Sequence, residues 1–333
     1  MSETITILGD GAMATVCSIL LTRGGHRVRM WGAFEDSIHE LMQNREQTRL
    51  LPGVRVPEEV QLTADDTTAL RDASIILVAI PTQHLRSVCK RLKPYWPAGV
   101  PAVSVAKGIE IDTLLRPSEI IRDVIGDIPL AVLSGPNIAG EIARYLPATA
   151  VAASADVALA SRVQDAFSTQ WFRIYTNDDP LGVELAGGTK NVIALAAGIL
   201  DGLGAGNNAK AALVTRGLVE ITRLGVAMGA KAETFQGLAG LGDLITTCIS
   251  PEGRNRSVGE RIGKGEKVQE ILDGMKSVAE GVPTTRGVRK LAMRYSVEMP
   301  ITESIHAVLF DGKDVLEALA ELMNRDPKPE RPM

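Results

Sequence analysis

The sequence predicts an α/β fold in which an N-terminal doubly wound sheet precedes a C-terminal all-α domain. Short β-rich runs alternate with helical stretches in the first half of the chain, as in βαβ units of a parallel sheet. Some runs are continuously apolar, such as Ile75–Ile80, and strands covered on both faces have that pattern. Strand signals stop near residue 179, and 333 residues exceed the usual size of one domain, so two domains are expected.

Each element is predicted from a local pattern of apolar residues bounded by turn residues. The strands are Thr4–Leu8, Arg27–Trp31, Ile75–Ile80, Ala102–Ala106, Leu130–Leu133, Thr149–Ala152 and Phe172–Tyr175. The helices of the second half are Leu181–Leu200, Asn208–Met228, Val258–Ile262, Val268–Leu272, Thr284–Tyr295, Ile301–Phe310 and Val315–Met323.

The predicted domain boundary lies at Pro180. Proline suits the first turn of a helix, where the missing N–H would have no intrahelical partner. The boundary divides the chain into residues 1–180 and 181–333. The segment from Asn324 onward is rich in proline and charge, so we expect a loose tail.

Composition excludes several classes of protein. The net charge of -4 and pI near 5.7 offer no general attraction to nucleic acid, so no nucleic-acid partner is expected. The start of the chain has no basic leader pattern, and the apolar runs are too short for a membrane span, so a cytoplasmic protein is expected. Cys17, Cys89 and Cys248 form no C-x-x-C pair and are predicted to be buried; no metal site is expected.

A glycine-rich turn follows the first predicted strand. Gly9 and Gly11, with Ala12, Met13 and Ala14, form a G-x-G-x-x-A pattern that opens an amphipathic helix. In that context the pattern is typical of a Rossmann-type dinucleotide site: Gly9 permits the tight turn, and Gly11 lets N–H groups approach a pyrophosphate. The alternative is an ordinary strand–helix turn, because the fold alone does not establish function.

Two lysines are candidates for chemistry. Along its predicted helix, Lys190 has only Gly, Ala or Ile three and four positions away, so no carboxylate there can pair with it. Loss of hydration and a nearby ammonium such as Lys107 would lower the pKa of Lys190. Lys107 directly follows a predicted strand, so it lies at the carboxyl ends of the strands, where ligands of open α/β sheets bind. For both, the alternative is an exposed surface lysine.

Two further positions have an ordinary structural alternative. Asp243 follows glycine and precedes an apolar run, so it is either a helix N-cap or a ligand. The segment Gly253–Arg256 supplies guanidinium groups that match phosphate oxygens, although charged runs are usually just solvated surfaces.

Over nearly its whole length the chain resembles the NAD(P)-dependent glycerol-3-phosphate dehydrogenase family. The matching segments, in the family's order, are Gly9–Thr15, Val78–Gln83, Val105–Glu110, Ser134–Glu141, Gly188–Gly204, Leu238–Cys248, Gly253–Arg256 and Glu298–Thr302. The chain departs from the family pattern at Ala12-Met13-Ala14, where Ser, an aromatic residue and Gly are usual. It also has Asn137-Ile138 where Ser/Thr-Phe is usual.

The resemblance implies NAD or NADP as cofactor, a small phosphorylated substrate, a role in glycerophospholipid synthesis, and Lys190 as the catalytic acid/base. Around the substrate it places Lys107, Gly135, Asn137, Asn191, Asp243, Thr247, Arg254 and Asn255. Beside the glycine-rich turn it assigns to the cofactor Lys107, Ala139, Arg254, Val278 and Glu280.

Some alternatives remain open at this point. Another two-domain dehydrogenase, such as a ketopantoate reductase or a hydroxyacid dehydrogenase, would leave Arg254 without a phosphate partner. A non-catalytic NADP-sensing protein would leave Lys190-Asn191 unexplained. The oligomeric state is open, with a homodimer as one alternative.

No basic residue closely follows the second strand, so we expect both cofactors to be used, with NAD(H) favoured by no more than about 100-fold and Glu35 the source of the bias.

Overall fold

The N-terminal half of the chain forms one sheet in the computed structural model, which describes residues 2–275, 279–327 and 329–330. Eight strands lie within the described residues: β1 (Thr4–Leu8), β2 (Arg27–Trp31), β3 (Gln61–Thr63), β4 (Ile75–Val78), β5 (Ala102–Ser104), β6 (Leu130–Ser134), β7 (Ala148–Ala153) and β8 (Phe172–Asn177). Their spatial order is β3-β2-β1-β4-β5-β6-β7-β8. The order reverses between β1 and β4, and ligands of open α/β sheets bind at the carboxyl ends of strands beside such a reversal.

Helices pack against the sheet in the first half of the chain and form the second half of the chain. Those of the first half are α1 (Ala12–Arg23), α2 (Glu35–Asn44), α3 (Asp66–Leu70), α4 (Thr82–Leu92), α5 (Pro117–Ile125), α6 (Ala139–Ala143) and α7 (Val157–Phe167). Those of the second half are α8 (Pro180–Gly202), α9 (Gly206–Ala227), α10 (Ala232–Gln236), α11 (Asp243–Ile249), α12 (Arg254–Gly263), α13 (Val268–Asp273), α14 (Gly281–Arg294), α15 (Pro300–Phe310) and α16 (Val315–Met323). A π-helical turn, Leu238–Gly242, precedes α11.

The predicted fold class is confirmed, with two corrections to the sheet. Strand β3 was not predicted, because its three residues carry no apolar run. The pair β6–β7 is antiparallel, whereas the other pairs among the described strands are parallel. Sequence patterning reports whether a strand is buried but not its direction, so this reversal left no signal. All three cysteines are buried, as predicted.

Helix α8 is the central helix of the second half. Asp179 caps its N-terminus, accepting the N–H of Gly182 at 2.9 Å, and Pro180 occupies the first turn as predicted. The other Asp179 oxygen accepts from the backbone N–H of Lys231 and the hydroxyl of Thr234, at 2.9 and 2.7 Å. One carboxylate therefore starts the helix and attaches α10 to it.

The length and composition of α8 would also suit a membrane span, with a mean hydropathy of 1.3 over its apolar window. That window is entirely buried inside the protein. Its apolar character is accounted for by the helices packed around it, chiefly α9, α11, α12 and α14.

Glycines let α12 lie directly against α8. A Cβ on Gly198 of α8 would collide with the carbonyl oxygen of Arg256, and a Cβ on Gly259 of α12 would collide with that of Leu195. The two backbones therefore touch without intervening side chains. This contact brings the N-terminus of α12 close to the middle of α8.

Candidate active site

A buried ion pair joins α8 to α11. The Lys190 ammonium, on a residue only 5% exposed, donates to Oδ1 of Asp243, itself 2% exposed, and to the hydroxyl of Thr247. Thr247 in turn donates to the carbonyl oxygen of Asp243 at 2.7 Å. Lys190 is therefore a buried lysine with two fixed acceptors, and the surface alternative is excluded.

Lys107 reaches the same carboxylate from the carboxyl edge of β5. Its ammonium donates to Oδ2 of Asp243 at 2.8 Å, to Oδ1 of Asn137 at 2.9 Å and to the carbonyl oxygen of Gly135 at 3.1 Å. Asp243 thus bridges two ammonium groups with one carboxylate.

The hydrogen-bonding capacity of the two lysines differs. An ammonium group has three N–H donors, so the three acceptors around Lys107 use all of them. Lys190 has two acceptors among the described residues, which leaves one position on its nitrogen open. In the neutral amine that position holds the lone pair, and in the ammonium it holds a proton. Of these two lysines, Lys190 is therefore the one with a position at which a bound molecule could exchange a proton.

The electrostatic environment favours such an exchange. Burial lowers the pKa of Lys190, the charge of Asp243 opposes that shift, and the charge of Lys107 reinforces it, so that the pKa lies at about 8. The sequence predicted this direction from desolvation and Lys107. It did not predict Asp243 as the partner, because that residue is 53 positions away in the chain.

Asp243 is the first residue of α11 but is not its N-cap. Gly242 before it is already helical, and no side chain caps the helix. The π-helical turn continues directly into α11, and the carboxylate points to the two lysines instead. The N-cap alternative for Asp243 is therefore wrong.

Other predicted substrate residues lie on α8 and at the start of α12. Asn191 is buried, and its side-chain amide has no hydrogen-bond partner in the part of the chain that the structure describes. Arg254, the first residue of α12, is exposed and likewise has no ion-pair partner among the described residues. Arg256, in contrast, forms a partly buried ion pair with Asp201 at 2.6 Å.

Asn255 has a structural contact of its own. Its Oδ1 accepts the N–H of Gly281 at 2.9 Å, at the start of α14. A Cβ on Gly281 would lie 2.8 Å from that oxygen and 2.7 Å from the carbonyl oxygen of Asn191. The side-chain oxygen of Asn255 is thus hydrogen-bonded to the start of α14. Its amide nitrogen has no hydrogen-bond partner among the described residues.

The glycine-rich turn fits a dinucleotide pyrophosphate. Gly9 has φ +122°, and a Cβ there would lie 2.6 Å from the carbonyl oxygen of Ala79. A Cβ on Gly11 would approach only Leu50, at 3.7 Å, so the space above the turn is open. No side chain caps α1 and its first turn has no acidic residue, which leaves its N–H groups to an anion.

The remaining predicted cofactor positions lie at two places. Ala12, Met13 and Ala139 are partly buried against the core beneath the sheet edge, and Ala14 is inside it. Glu280 lies where the two halves of the chain meet, with Oε1 accepting the N–H of Thr82 at 3.0 Å. Burial raises the pKa of the Glu280 carboxyl. Val278 falls outside the described residues.

Two family models match the chain. The model described as NAD-dependent glycerol-3-phosphate dehydrogenase N-terminus matches residues 4–160, and that described as the C-terminus of the same enzyme matches residues 179–320. The chain belongs to this family.

Relatives and solved structures agree with the match. A glycerol-3-phosphate dehydrogenase (NAD(P)+) of Citrifermentans bemidjiense is 46% identical over 333 residues, with 99% of each chain covered. The crystal structure of a glycerol-3-phosphate dehydrogenase from Coxiella burnetii superimposes with a TM-score of 0.94 at 37% identity, covering 97% of this chain and 99% of that one. The structure of a ketopantoate reductase from Ralstonia eutropha has a TM-score of 0.61 at 15% identity, with 92% of this chain and 97% of that one covered. At that identity the likeness shows the fold alone.

The structure also shows site features of this family member that the sequence analysis missed. Gly187 and Gly188 face the lysine site: a Cβ on Gly187 would lie 2.7 Å from Oγ of Ser134, and one on Gly188 would lie 3.3 Å from the backbone nitrogen of Gly108. Two adjacent glycines inside a helix cost stability, so they were a usable signal of close approach. Without side chains at these two positions, α8 packs closely against the carboxyl ends of the strands, and Lys190 lies beside them.

Proposed function

We propose that this chain interconverts sn-glycerol 3-phosphate and dihydroxyacetone phosphate, with NAD or NADP as hydride carrier. The observation that carries the proposal is the open position on Lys190, beside Asp243 and Lys107 at the carboxyl edge of the sheet. Membership of the glycerol-3-phosphate dehydrogenase family supports the choice of substrate. We also propose the division into a cofactor domain, residues 1–180, and a substrate domain, residues 181–333.

Lys190 is the proposed acid/base. In the oxidation its neutral amine accepts the proton of the substrate's C2 hydroxyl at the open position, while its N–H groups remain on Asp243 and Thr247. In the reduction the ammonium returns that proton to the C2 oxygen. Asp243 stabilises the charged form of Lys190, and Lys107 destabilises it. The lysine therefore changes its protonation state near neutral pH.

The substrate is held by groups on both sides of Lys190. The Asn191 amide and the charge of Lys107 stabilise negative charge on the C2 oxygen. Gly135 and Asn137 act with Lys107, since both accept hydrogen bonds from it. Arg254 and the amide nitrogen of Asn255 bind the phosphate, because a guanidinium matches phosphate oxygens. Arg254 is available for the phosphate, because its guanidinium has no ion-pair partner among the described residues.

The chain's own groups also account for cofactor binding. The N–H groups of the turn from Gly9 to Ala14 hold the pyrophosphate. The family resemblance places five further residues along the rest of the dinucleotide: Lys107, Ala139, Arg254, Val278 and Glu280. When bound, the nicotinamide supplies the redox chemistry, taking a hydride from C2 in one direction and returning it in the other. The protein positions the substrate and moves the proton.

The proposal is tested by the oxidation of sn-glycerol 3-phosphate, followed through the absorbance of the reduced nicotinamide. We expect turnover with NAD+ or NADP+, and little with glycerol or with the mirror-image sn-glycerol 1-phosphate. Glycerol lacks the phosphate that Arg254 binds, and the enantiomer directs its C2 hydroxyl away from Lys190. Absence of turnover with sn-glycerol 3-phosphate and either cofactor would refute the proposal.

In the cell, we propose that the enzyme acts in the cytoplasm and supplies glycerol 3-phosphate for glycerophospholipid synthesis. The acidic overall composition, with a net charge of -4, supports a freely diffusing enzyme with a small phosphorylated partner rather than a nucleic-acid-binding protein.

A further inference from the structure

The end of β2 lacks the acidic residue that usually selects NAD over NADP. In dinucleotide-binding folds an Asp or Glu at that point accepts a hydrogen bond from the ribose 2′-OH. Here β2 ends at Trp31 and the next residue is Gly32. Glu35, the first acid after the strand, is an exposed residue in the first turn of α2.

A different carboxylate occupies this place. Asp10, in the glycine-rich turn, directs its side chain toward the end of β2, where a Cβ built on Gly32 would lie only 3.0 Å from Oδ2. The hydroxyl of Ser37, on α2, donates to the same Oδ2 at 2.6 Å. The Gln47 amide donates to the Asp10 carbonyl oxygen at 2.8 Å, so the backbone of the turn is also held.

One oxygen of this fixed carboxylate remains available. Oδ1 of Asp10 has no hydrogen-bond partner within the described residues, and the side chain is partly exposed. Gly32 is required for the arrangement, because a side chain there would meet Asp10 and also lie 2.6 Å from the side chain of Ile38. The Asp10 carboxylate thus lies between the backbone of the pyrophosphate-binding turn and the end of β2, which is the location of the adenosine ribose in this fold.

We propose that Asp10 determines the cofactor preference of this chain. Its Oδ1 accepts a hydrogen bond from the 2′-OH of NAD(H), and its charge repels the 2′-phosphate of NADP(H). Ser37 acts as a positioning residue that fixes the carboxylate rotamer. The inference rests on the proposed use of NAD or NADP, but not on the identity of the substrate. It replaces Glu35 as the source of the bias.

The test is direct titration of NADH and NADPH binding by nicotinamide fluorescence, without substrate. In the wild type we expect NADH to bind more tightly. Asp10→Asn keeps the size of the side chain and an acceptor for Ser37 but removes the charge. It should reduce the ratio of Kd for NADPH to Kd for NADH by about 10-fold or more, which corresponds to about 1.4 kcal/mol. Asp10→Ser, a second variant of different shape, should change the ratio in the same direction.

Glu35→Gln is the matched control, since it removes one charge from the adjacent helix turn. It should leave the ratio within about two-fold of the wild type. An unchanged ratio in both Asp10 variants, or an equal change in Glu35→Gln, would overturn the inference. Because the titration contains no substrate, its outcome is independent of whether glycerol 3-phosphate is turned over. A wild type that binds both dinucleotides but does not oxidise glycerol 3-phosphate would contradict the proposed function and leave the Asp10 assignment standing.

Discussion

At the scale of single residues, buried Lys190 and partly buried Lys107 differ in chemistry because their hydrogen-bond partners differ. Lys107 has three acceptors and Lys190 has two among the described residues, although both contact Asp243. Burial and the neighbouring ammonium favour the neutral form of Lys190, and the carboxylate limits that effect. The same three groups therefore set both the position and the pKa of the proposed acid/base.

Lys190→Met should retain the fold and the binding of NADH but lose the proton exchange. We expect kcat to fall by roughly 10²–10⁴-fold, the range for the loss of a general acid/base. Steady-state kinetics together with a fluorescence titration of NADH would separate the two effects. Turnover near the wild-type rate would remove Lys190 from this role.

The pH dependence should follow the protonation of Lys190. Oxidation needs the neutral amine, so kcat/KM for glycerol 3-phosphate should rise with pH and level off above about 8, and the reduction should show the opposite trend. Because Asp243 raises the pKa of Lys190 and Lys107 lowers it, Asp243→Asn should move the inflection to lower pH and Lys107→Met to higher pH. Displacement of both inflections in the same direction would contradict this electrostatic account.

Arg254→Ala should mainly weaken the binding of phosphorylated substrate. It deletes a charge-assisted contact worth on the order of 1.5–3 kcal/mol, so KM should rise by roughly 10- to 100-fold while NADH affinity changes less. Arg256→Ala is the control, because that guanidinium pairs with Asp201 instead. Equal KM values for Arg254→Ala and the wild type would show that another group binds the phosphate.

Most of the lysine site was predictable from the sequence, but its connections were not. Lys190, Lys107 and Asp243 were singled out from helix neighbours, strand ends and the family resemblance. That one carboxylate joins both lysines depends on how α11 packs on α8, a contact between distant segments that local patterns do not encode. The proposed role of Asp10 could not be predicted for a similar reason, since it depends on how close the Asp10 side chain lies to Gly32.

At the scale of elements, α8 and α12 are positioned by direct backbone contact. The sequence predicted α8 well, because Pro180 and the long apolar run define it. It predicted only Val258–Ile262 of α12, since the polar first turn Arg254–Ser257 has no apolar periodicity. Helix α10 and the π-helical turn were not predicted either, and α11 was implied only by the N-cap alternative for Asp243. These elements are short, and tertiary packing rather than propensity stabilises short helices.

Gly259→Ala should destabilise the protein although alanine is the better helix former. The added methyl group would collide with the carbonyl oxygen of Leu195 on α8, so the helices must separate. Overpacking of this kind costs typically about 1–3 kcal/mol, against a gain of about 1 kcal/mol in helix propensity. Urea unfolding should show a net loss of stability.

Gly274→Ala provides the matched control for this substitution. Gly274 has helical backbone angles at the end of α13, and a Cβ there would make an ordinary contact with the carbonyl oxygen of Glu270 at 3.4 Å. Its unfolding midpoint should be unchanged or slightly raised. If Gly259→Ala were as stable as Gly274→Ala, the direct contact between α8 and α12 would not constrain the fold.

At the scale of the whole molecule, the proposed reaction needs both halves of the chain. The sheet contributes Lys107, Gly135 and the dinucleotide turn, whereas the helices contribute Lys190, Asp243 and Arg254. Glu280 ties the helical half to Thr82, at the carboxyl edge of β4. The proposed boundary at residue 180 rests on the end of the strand signals. The contacts between the halves could not be predicted, because they join residues far apart in sequence.

We propose above that the junction between the two halves recognises a phosphorylated three-carbon substrate. The most direct measurement compares kcat/KM of the wild-type protein for dihydroxyacetone phosphate and for unphosphorylated dihydroxyacetone, with saturating NADH or NADPH. We expect turnover with dihydroxyacetone phosphate and a kcat/KM at least about 10-fold lower without the phosphate, since the contact to Arg254 is then lost. Equal kcat/KM for the two substrates, or no turnover with either, would contradict it.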